Sequence, residues 1–237
     1  MAARIRFVFF DLGGTLVDEC DYLGWADLAA RLSIPVDPDD LAHHFRDVER
    51  EDDAAGRPSG DAAFWREVLA RAGGRPVTPT QAERFVAEWQ RLRSPPRLFS
   101  DVVRCLDDLE EDGRTLGVVT NSQSEPAVRR TLDQVGLIDR FATVTSSGTE
   151  GIAKPDPRLF ARALERAGAS PAASFHVGHL EYTDARAARA AGIPSVWLHR
   201  DGTGFSLDPP EVTSLLEVPP WIRRLEGTPE RYPARRR

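Results

Sequence analysis

The chain has 237 residues, of which 41% are apolar, and a formal net charge of −6. That length suits one large domain or a domain carrying an insert, and the negative charge speaks against a general nucleic-acid or membrane-surface binder. Cys20 and Cys105 match no metal spacing and are expected as reduced thiols of a cytoplasmic protein, and the early apolar run Phe7 to Phe10 is too short for a signal peptide or a membrane span.

The first element in chain order is a buried strand, Ile5 to Phe10, read from its unbroken apolar run. It stops at Asp11, and Leu12, Gly13, Gly14 and Thr15 follow. From residue 24 to residue 92 the pattern is helix after helix, in "WADLAARL", "PDDLAHHFRDVERED", "DAAFWREVLARAG" and "TPTQAERFVAEWQRL". Apolar positions recur there every three or four residues, with Pro or Gly between segments. Pro95 and Pro96 form a stiff connector. Alternation of helix and strand then resumes. Ser100 is placed to cap a helix that Gly113 ends, and "TLGVV" is a strand that stops at Thr120 and Asn121. Ser122 and Glu125 have capping-box spacing for the next helix, and "ATVT" is a short strand. Asp156 and Pro157 open a helix with Leu159, Phe160, Ala163 and Leu164 inward. "SFHV" is a strand, "TDARAARAA" a small-residue helix, and "PSVWL" a last strand. The end, "ERYPARRR", reads as a solvated basic tail.

Strands buried on both faces and separated by helices imply an α/β fold, a doubly wound parallel sheet of Rossmann-like type. The expected division is a core of residues 1–17 and 96–200, an inserted helical cap of 18–95, and a C-terminal extension of 201–237. Ligands of such sheets sit beyond the carboxyl ends of the strands. Asp11, Thr120 with Asn121, the loop before Lys154, and Gly178 to Asp184 lie at four such ends and are expected to converge. The insert leaves from the same edge and is placed to act as a lid.

The residue types at those ends suit attack by a carboxylate. Asp11 can form a covalent aspartyl intermediate. Gly13 and Gly14 let the backbone turn tightly and offer amides to an oxyanion, and Thr15 can fix the loop. Thr120 offers a hydroxyl and Asn121 an amide. Of the 31 Lys plus Arg, only Lys154 is lysine. With ordinary positive charge left to arginine, this exception suits a site that needs a compact ammonium rather than a planar fork. Asp184 is a further acid.

In this order "DLGGTL", "VVTN", "AKPDP" and "VGHLEYTD" resemble the four motifs of the haloacid dehalogenase superfamily, and the insert resembles its helical type-one cap. The likeness runs to about Leu198. It implies that Asp11 is the nucleophile, Thr120 the phosphate-binding residue and Lys154 the charge-balancing lysine. It also implies a divalent metal, magnesium in most members, held by Asp11, the carbonyl of Gly13 and an acid of the fourth motif, here Asp184. Two positions depart from the phosphatase pattern. Gly13 replaces the aspartate that serves as general acid and base, and His179 replaces a metal-binding aspartate. Imidazole suits magnesium poorly and zinc or other transition ions better. Losing a general acid typically costs about 10²- to 10⁴-fold in rate. The phosphonate-cleaving branch needs a second lysine, which this chain lacks.

The preferred reading is a phosphatase of small phosphorylated metabolites with an altered site. His179, Glu181 and the cap residue Glu19 are candidates for the missing acid. One alternative is a metal-independent, dehalogenase-like hydrolase. The other is a binding or regulatory protein on an impaired hydrolase scaffold. The expected partner is a small anionic substrate, with no nucleic acid and no membrane. His176 reads as a hydrogen-bonded core residue. His43 and His44, adjacent on a helix, read as sharing no face. Trp25, Trp65 and Trp89 read as cap core, with Trp25 and Tyr22 near enough to the hinge to touch substrate. Arg46, Arg50 and Arg66 read as a solvated face.

Overall fold

The computed structural model describes residues 4–18, 22–55, 60–92, 95–122, 124–200, 202 and 208–227. It divides into two compact units, Met1–Glu19 with Pro96–Arg237, and Cys20–Pro95.

The first unit is built on a six-stranded parallel sheet. Its strands are β1 (Phe7–Phe10), β4 (Thr115–Thr120), β5 (Phe141–Ser146), β6 (Ser174–Gly178), β7 (Ser195–Leu198) and β8 (Glu211–Val212), in the spatial order β5-β4-β1-β6-β7-β8. The remaining strands, β2 (Val17–Asp18) and β3 (Arg97–Leu98), form a two-stranded antiparallel ribbon in the same unit. This is the doubly wound α/β architecture that the alternation implies.

Strand β1 explains the unbroken apolar run. Val8 and Phe10 pack into one core with α5 (Val102–Glu111), α6 (Glu125–Gln134) and α10 (Val218–Gly227). Phe9 points to the other face, into a core with α8 (Pro157–Ala167) and α9 (Ala187–Ala190). A central strand covered on both sides has no polar face to alternate. A short helix, α7 (Ser147–Glu150), follows β5.

Local signals set the helix ends, with two differences from expectation. Helix α8 starts as expected, its Asp156 side chain accepting the Arg158 amide, and Gly168 ends it at φ +60°. For α6 the capping residue is Ser124, which accepts the Ala127 amide, rather than Ser122. Ser122 instead donates its backbone N–H to the Ser147 hydroxyl. For α5 the cap position belongs to Asp101 and not to Ser100, and the Asp101 carboxylate makes no capping bond. It is used by other partners, described below. The helix expected in "TDARAARAA" begins earlier, as a π-helical turn at Glu181–Arg186 that leads into α9.

Residues 208–227 hold structure that the sequence pattern did not suggest. The two-residue β8 extends the sheet beside β7, and α10 buries Val218, Ile222 and Leu225. The basic tail from residue 228 onward lies outside the described residues.

The second unit is four helices, α1 (Tyr22–Arg31), α2 (Pro38–Ala54), α3 (Ala62–Gly73) and α4 (Pro79–Leu92). Its core is aromatic. Trp25 meets Trp65 edge-on at 4.7 Å between ring centroids and Trp89 at 5.3 Å. Trp25 is buried in this core, which accounts for it without a substrate contact. Against expectation, His43 and His44 do meet, with ring centroids 5.1 Å apart. Asp47 lies four residues after one and three after the other, a common stripe toward which both rings lean, and His43 Nε2 is 3.2 Å from its carboxylate. Glu19 and the side chains of Tyr22 and Arg50 lie outside the described residues. Among the described residues no helix is long and apolar enough to cross a membrane.

Candidate active site

Three neighbouring strands, β4, β1 and β6, bring the site residues together. Thr120 is the last residue of β4, Asp11 follows β1, and Gly178 ends β6. Lys154 comes from the loop before α8. Its Nζ donates to Asp11 Oδ1 at 2.9 Å, to the Val119 carbonyl at 3.2 Å, and to Asp184 Oδ1. An ammonium has three N–H donors, and each has an acceptor here. Arginine's planar fork could not fill this three-cornered space, which accounts for lysine in a chain otherwise committed to arginine.

Asn121, expected among the phosphate-binding groups, is occupied in holding this lysine. Its Nδ2 donates to the Lys154 carbonyl at 2.9 Å, and its Oδ1 accepts the Lys154 amide at 2.8 Å.

The loop after Asp11 folds on itself. The Leu12 carbonyl accepts the amides of Thr15, Leu16 and Val17, and the Gly14 amide donates to the Val17 carbonyl at 2.9 Å. The Gly14 N–H is therefore not available to an oxyanion, contrary to expectation. The free amides of the loop are those of Leu12 and Gly13, which have no protein acceptor among the described residues. Gly14 has a different use. Its φ is +69°, and a Cβ there would lie 2.5 Å from Cδ2 of His179. The imidazole rests in the space that glycine leaves. Likewise a Cβ on Gly178 would lie 2.2 Å from Cγ of Asp184, so only glycine lets that acid close on the strand end.

His179 Nδ1 lies 3.1 Å from Asp11 Oδ2 and 3.9 Å from Asp184 Oδ2. The Thr15 hydroxyl donates to Asp11 Oδ2 at 3.0 Å, which orients the carboxylate. Asp184 Oδ2 also accepts the Leu180 amide at 3.0 Å. Glu181 is tied to Arg186 at 2.8 and 2.6 Å on the surface. His176 lies beneath the site, fully buried, with its ring edge-on to Phe160. It is a core residue as expected, yet neither ring nitrogen has a hydrogen-bond partner, and Nε2 stands 3.6 Å from Asp184 Oδ1.

Charge explains the protonation states. Burial would raise the Asp11 carboxyl, but the Lys154 ammonium and the His179 hydrogen bond hold it far below the usual carboxylate range. Burial and the Asp11 charge would raise Asp184, and Lys154 again keeps it low. Burial would lower Lys154, and the two carboxylates overcome that and keep it charged.

Asp11, His179 and Asp184 each offer one ligand atom, and these lie within 4.8 Å of one another. An ion about 2.0–2.2 Å from each donor needs donors roughly 3 to 4 Å apart. The separations of 3.1 and 3.9 Å suit a divalent cation when His179 Nδ1 carries no proton and offers its lone pair. The imidazole donor favours zinc, manganese or a similar ion over magnesium.

The doubly wound sheet thus gathers an ionised carboxylate, a buried ammonium and free amides at its strand ends. A family model for haloacid dehalogenase-like hydrolases matches residues 5–192, and the chain belongs to that family. It is 37% identical over 155 residues to a phosphoserine phosphatase of Thermus thermophilus, across 65% of this chain and 59% of that protein. The match thus spans less than two thirds of that relative's length. It is 33% identical over 198 residues to a phosphoglycolate phosphatase of Agrobacterium fabrum, across 79% of this chain and 77% of that one. A 2-haloacid dehalogenase structure from Pseudomonas syringae aligns with a TM-score of 0.60 at 27% identity, over 93% of this chain and 99% of that one.

Proposed function

We propose that the chain is a phosphatase of small phosphorylated metabolites that works through an aspartyl-phosphate on Asp11. The observation that carries this reading is the convergence of Asp11, His179 and Asp184 beside a buried Lys154. A metal-free hydrolase has no need of that donor set, and relatives of this chain carry phosphatase names.

The ionised Asp11 attacks phosphorus, and the bond to the leaving oxygen breaks. Lys154 holds the nucleophile in place and balances its charge. The Leu12 and Gly13 amides and the Thr120 hydroxyl receive the phosphoryl oxygens. Water then cleaves the acyl phosphate, releasing phosphate and restoring Asp11. Asp11, Asp184, His179 and the Gly13 carbonyl would hold a divalent cation, which would supply further charge neutralisation to the phosphoryl oxygens. Gly13 has no proton to give, so leaving groups that depart without protonation are preferred. The helical second unit corresponds to the insert that the resemblance likens to a type-one cap.

The test is hydrolysis of an aryl phosphate with magnesium, manganese, zinc or chelator, against Asp11→Asn. The expected result is activity that requires Asp11 and a metal, with manganese or zinc better than magnesium. Gly13→Asp should raise turnover on alkyl phosphates more than on aryl ones. Activity that survives chelator would replace this reading with a metal-free hydrolase. Equal rates for wild type and Asp11→Asn under every metal would leave a binding protein.

A further inference from the structure

We propose that Arg200 is a positioning residue for the nucleophile loop, anchored by Asp101 and through it by the C-terminal segment. For its effect on turnover this rests on the phosphatase reading; for its effect on loop geometry it does not.

The loop of residues 12–17 spends most of its N–H groups on its own carbonyls, so it is closed inward. The carbonyls of Gly14 and Thr15 face the other way, and Arg200 takes both. Its Nε donates to Gly14 O at 3.3 Å, and its Nη2 to Thr15 O at 2.7 Å. The same guanidinium is held from behind. Nη1 and Nη2 reach the two oxygens of Asp101 at 3.0 and 3.1 Å, and Cζ lies 3.8 Å from the centre of the Phe99 ring. Asp101 is fixed in turn by the Ser214 hydroxyl at 2.8 Å and the Leu215 amide at 2.9 Å. This accounts for Asp101 making no cap to α5. It also gives residues 214 and 215 a connection to the loop some two hundred positions earlier.

What Arg200 holds is what the chemistry uses. Gly14 is the floor on which the His179 ring rests, and Thr15 carries the hydroxyl that orients Asp11 Oδ2. A shift of the loop would move the nucleophile, the imidazole and the free Leu12 and Gly13 amides together. Four of the five N–H groups of Arg200 are taken by these protein partners. A fork is required, because a lysine offers one point charge and cannot span two carbonyls and a bidentate carboxylate.

The chain provides its own control. Arg114 and Glu226 form a comparable part-buried pair, at 2.6 and 2.9 Å, that ties α10 to Ile5 at the opposite end of β1. Loss of that pair should cost stability without touching the site.

The experiment compares Arg200→Ala, Arg200→Lys, Asp101→Asn and Ser214→Ala with Arg114→Lys, on the full chain. Thermal midpoint, aryl phosphate kinetics and amide NMR are measured for each. For Arg200→Ala and Arg200→Lys, kcat should fall about 100-fold, the scale expected for a misplacement of about 1 Å. KM should change by less than about threefold, because no substrate contact is lost. Ser214→Ala removes one bond from the anchor, should fold readily, and should lower kcat by less than about tenfold. In each of these variants the Leu12 and Gly13 amide signals and the His179 ring signals should shift or broaden. Arg114→Lys should lower the melting point while leaving kcat and those signals unchanged. Wild-type kcat or unmoved loop signals in Arg200→Ala would overturn the proposal, as would a kcat loss in Arg114→Lys equal to that in Arg200→Lys at matched melting point. If the wild type hydrolyses no phosphate ester, the phosphatase reading fails alone, and the NMR arm still decides whether Arg200 sets the loop.

Discussion

Replacing Lys154 by methionine keeps most of the length of the side chain and deletes its charge. The ammonium is buried and donates to Asp11, Asp184 and the Val119 carbonyl. Without it, three acceptors lose this donor and two buried carboxylates lose the ammonium between them. Breaking a buried pair from one side costs about 3–5 kcal/mol. At roughly 2–4 °C per kcal/mol for a chain of this size, the melting point should fall by about 6–20 °C. The assay is thermal unfolding in chelator, so that only the protein's own charges contribute. The sign with pH follows from the shifts. In the wild type both carboxyls are depressed by Lys154, so their contribution is present above the ordinary carboxylate pKa of about 3.9 and is lost as pH falls through their folded values. In the variant, burial and mutual repulsion raise one carboxyl, so the penalty is largest at neutral pH and shrinks on acidification. The difference in melting point should therefore narrow from pH 7 to pH 5, and adding Asp184→Asn should recover part of it at pH 7. Equal melting points for wild type and Lys154→Met at pH 7 would refute the view that this ammonium neutralises the site.

Two further outcomes follow from the same geometry. Gly14→Ala should cost about 1–2 kcal/mol for a left-handed alanine and should push the His179 ring off Asp11. If so, adding His179→Ala to it should reduce activity little further, and full additivity in the double mutant would show that the two do not act together. Burial holds the His176 imidazole below its ordinary pKa. The unfolded chain takes up that proton below about pH 6.5 and the folded chain does not, so stability should fall with acidification from there, by at most about 1.4 kcal/mol per pH unit. His176→Leu should flatten this slope between pH 6.5 and 5.5 in a series of melting curves, and identical slopes would mean that the histidine titrates in the fold.

The amino-acid sequence by itself determined the parallel sheet, the position of the helical insert and the four strand ends that carry Asp11, Thr120, Lys154 and Asp184. The reason is that these are local properties. A strand covered on both faces needs an unbroken apolar run, a helix needs a period near 3.6, and polar groups collect where strands stop. The one lysine among many arginines was legible for the same reason, because composition needs no coordinates. Direction and partnership were not local. The Gly14 amide turns inward while the Leu12 and Gly13 amides remain free, a matter of how one loop closes. Asn121 spends its amide on the Lys154 backbone, and Glu181 spends its charge on Arg186. Strand β8 has two residues, too few to show any period, and is recognisable only beside β7. No sequence motif singles out Arg200. Only the tertiary structure brings it to the carbonyls of residues 14 and 15, because a contact between segments nearly two hundred residues apart is set by how the sheet assembles and leaves no trace in the spacing of either segment.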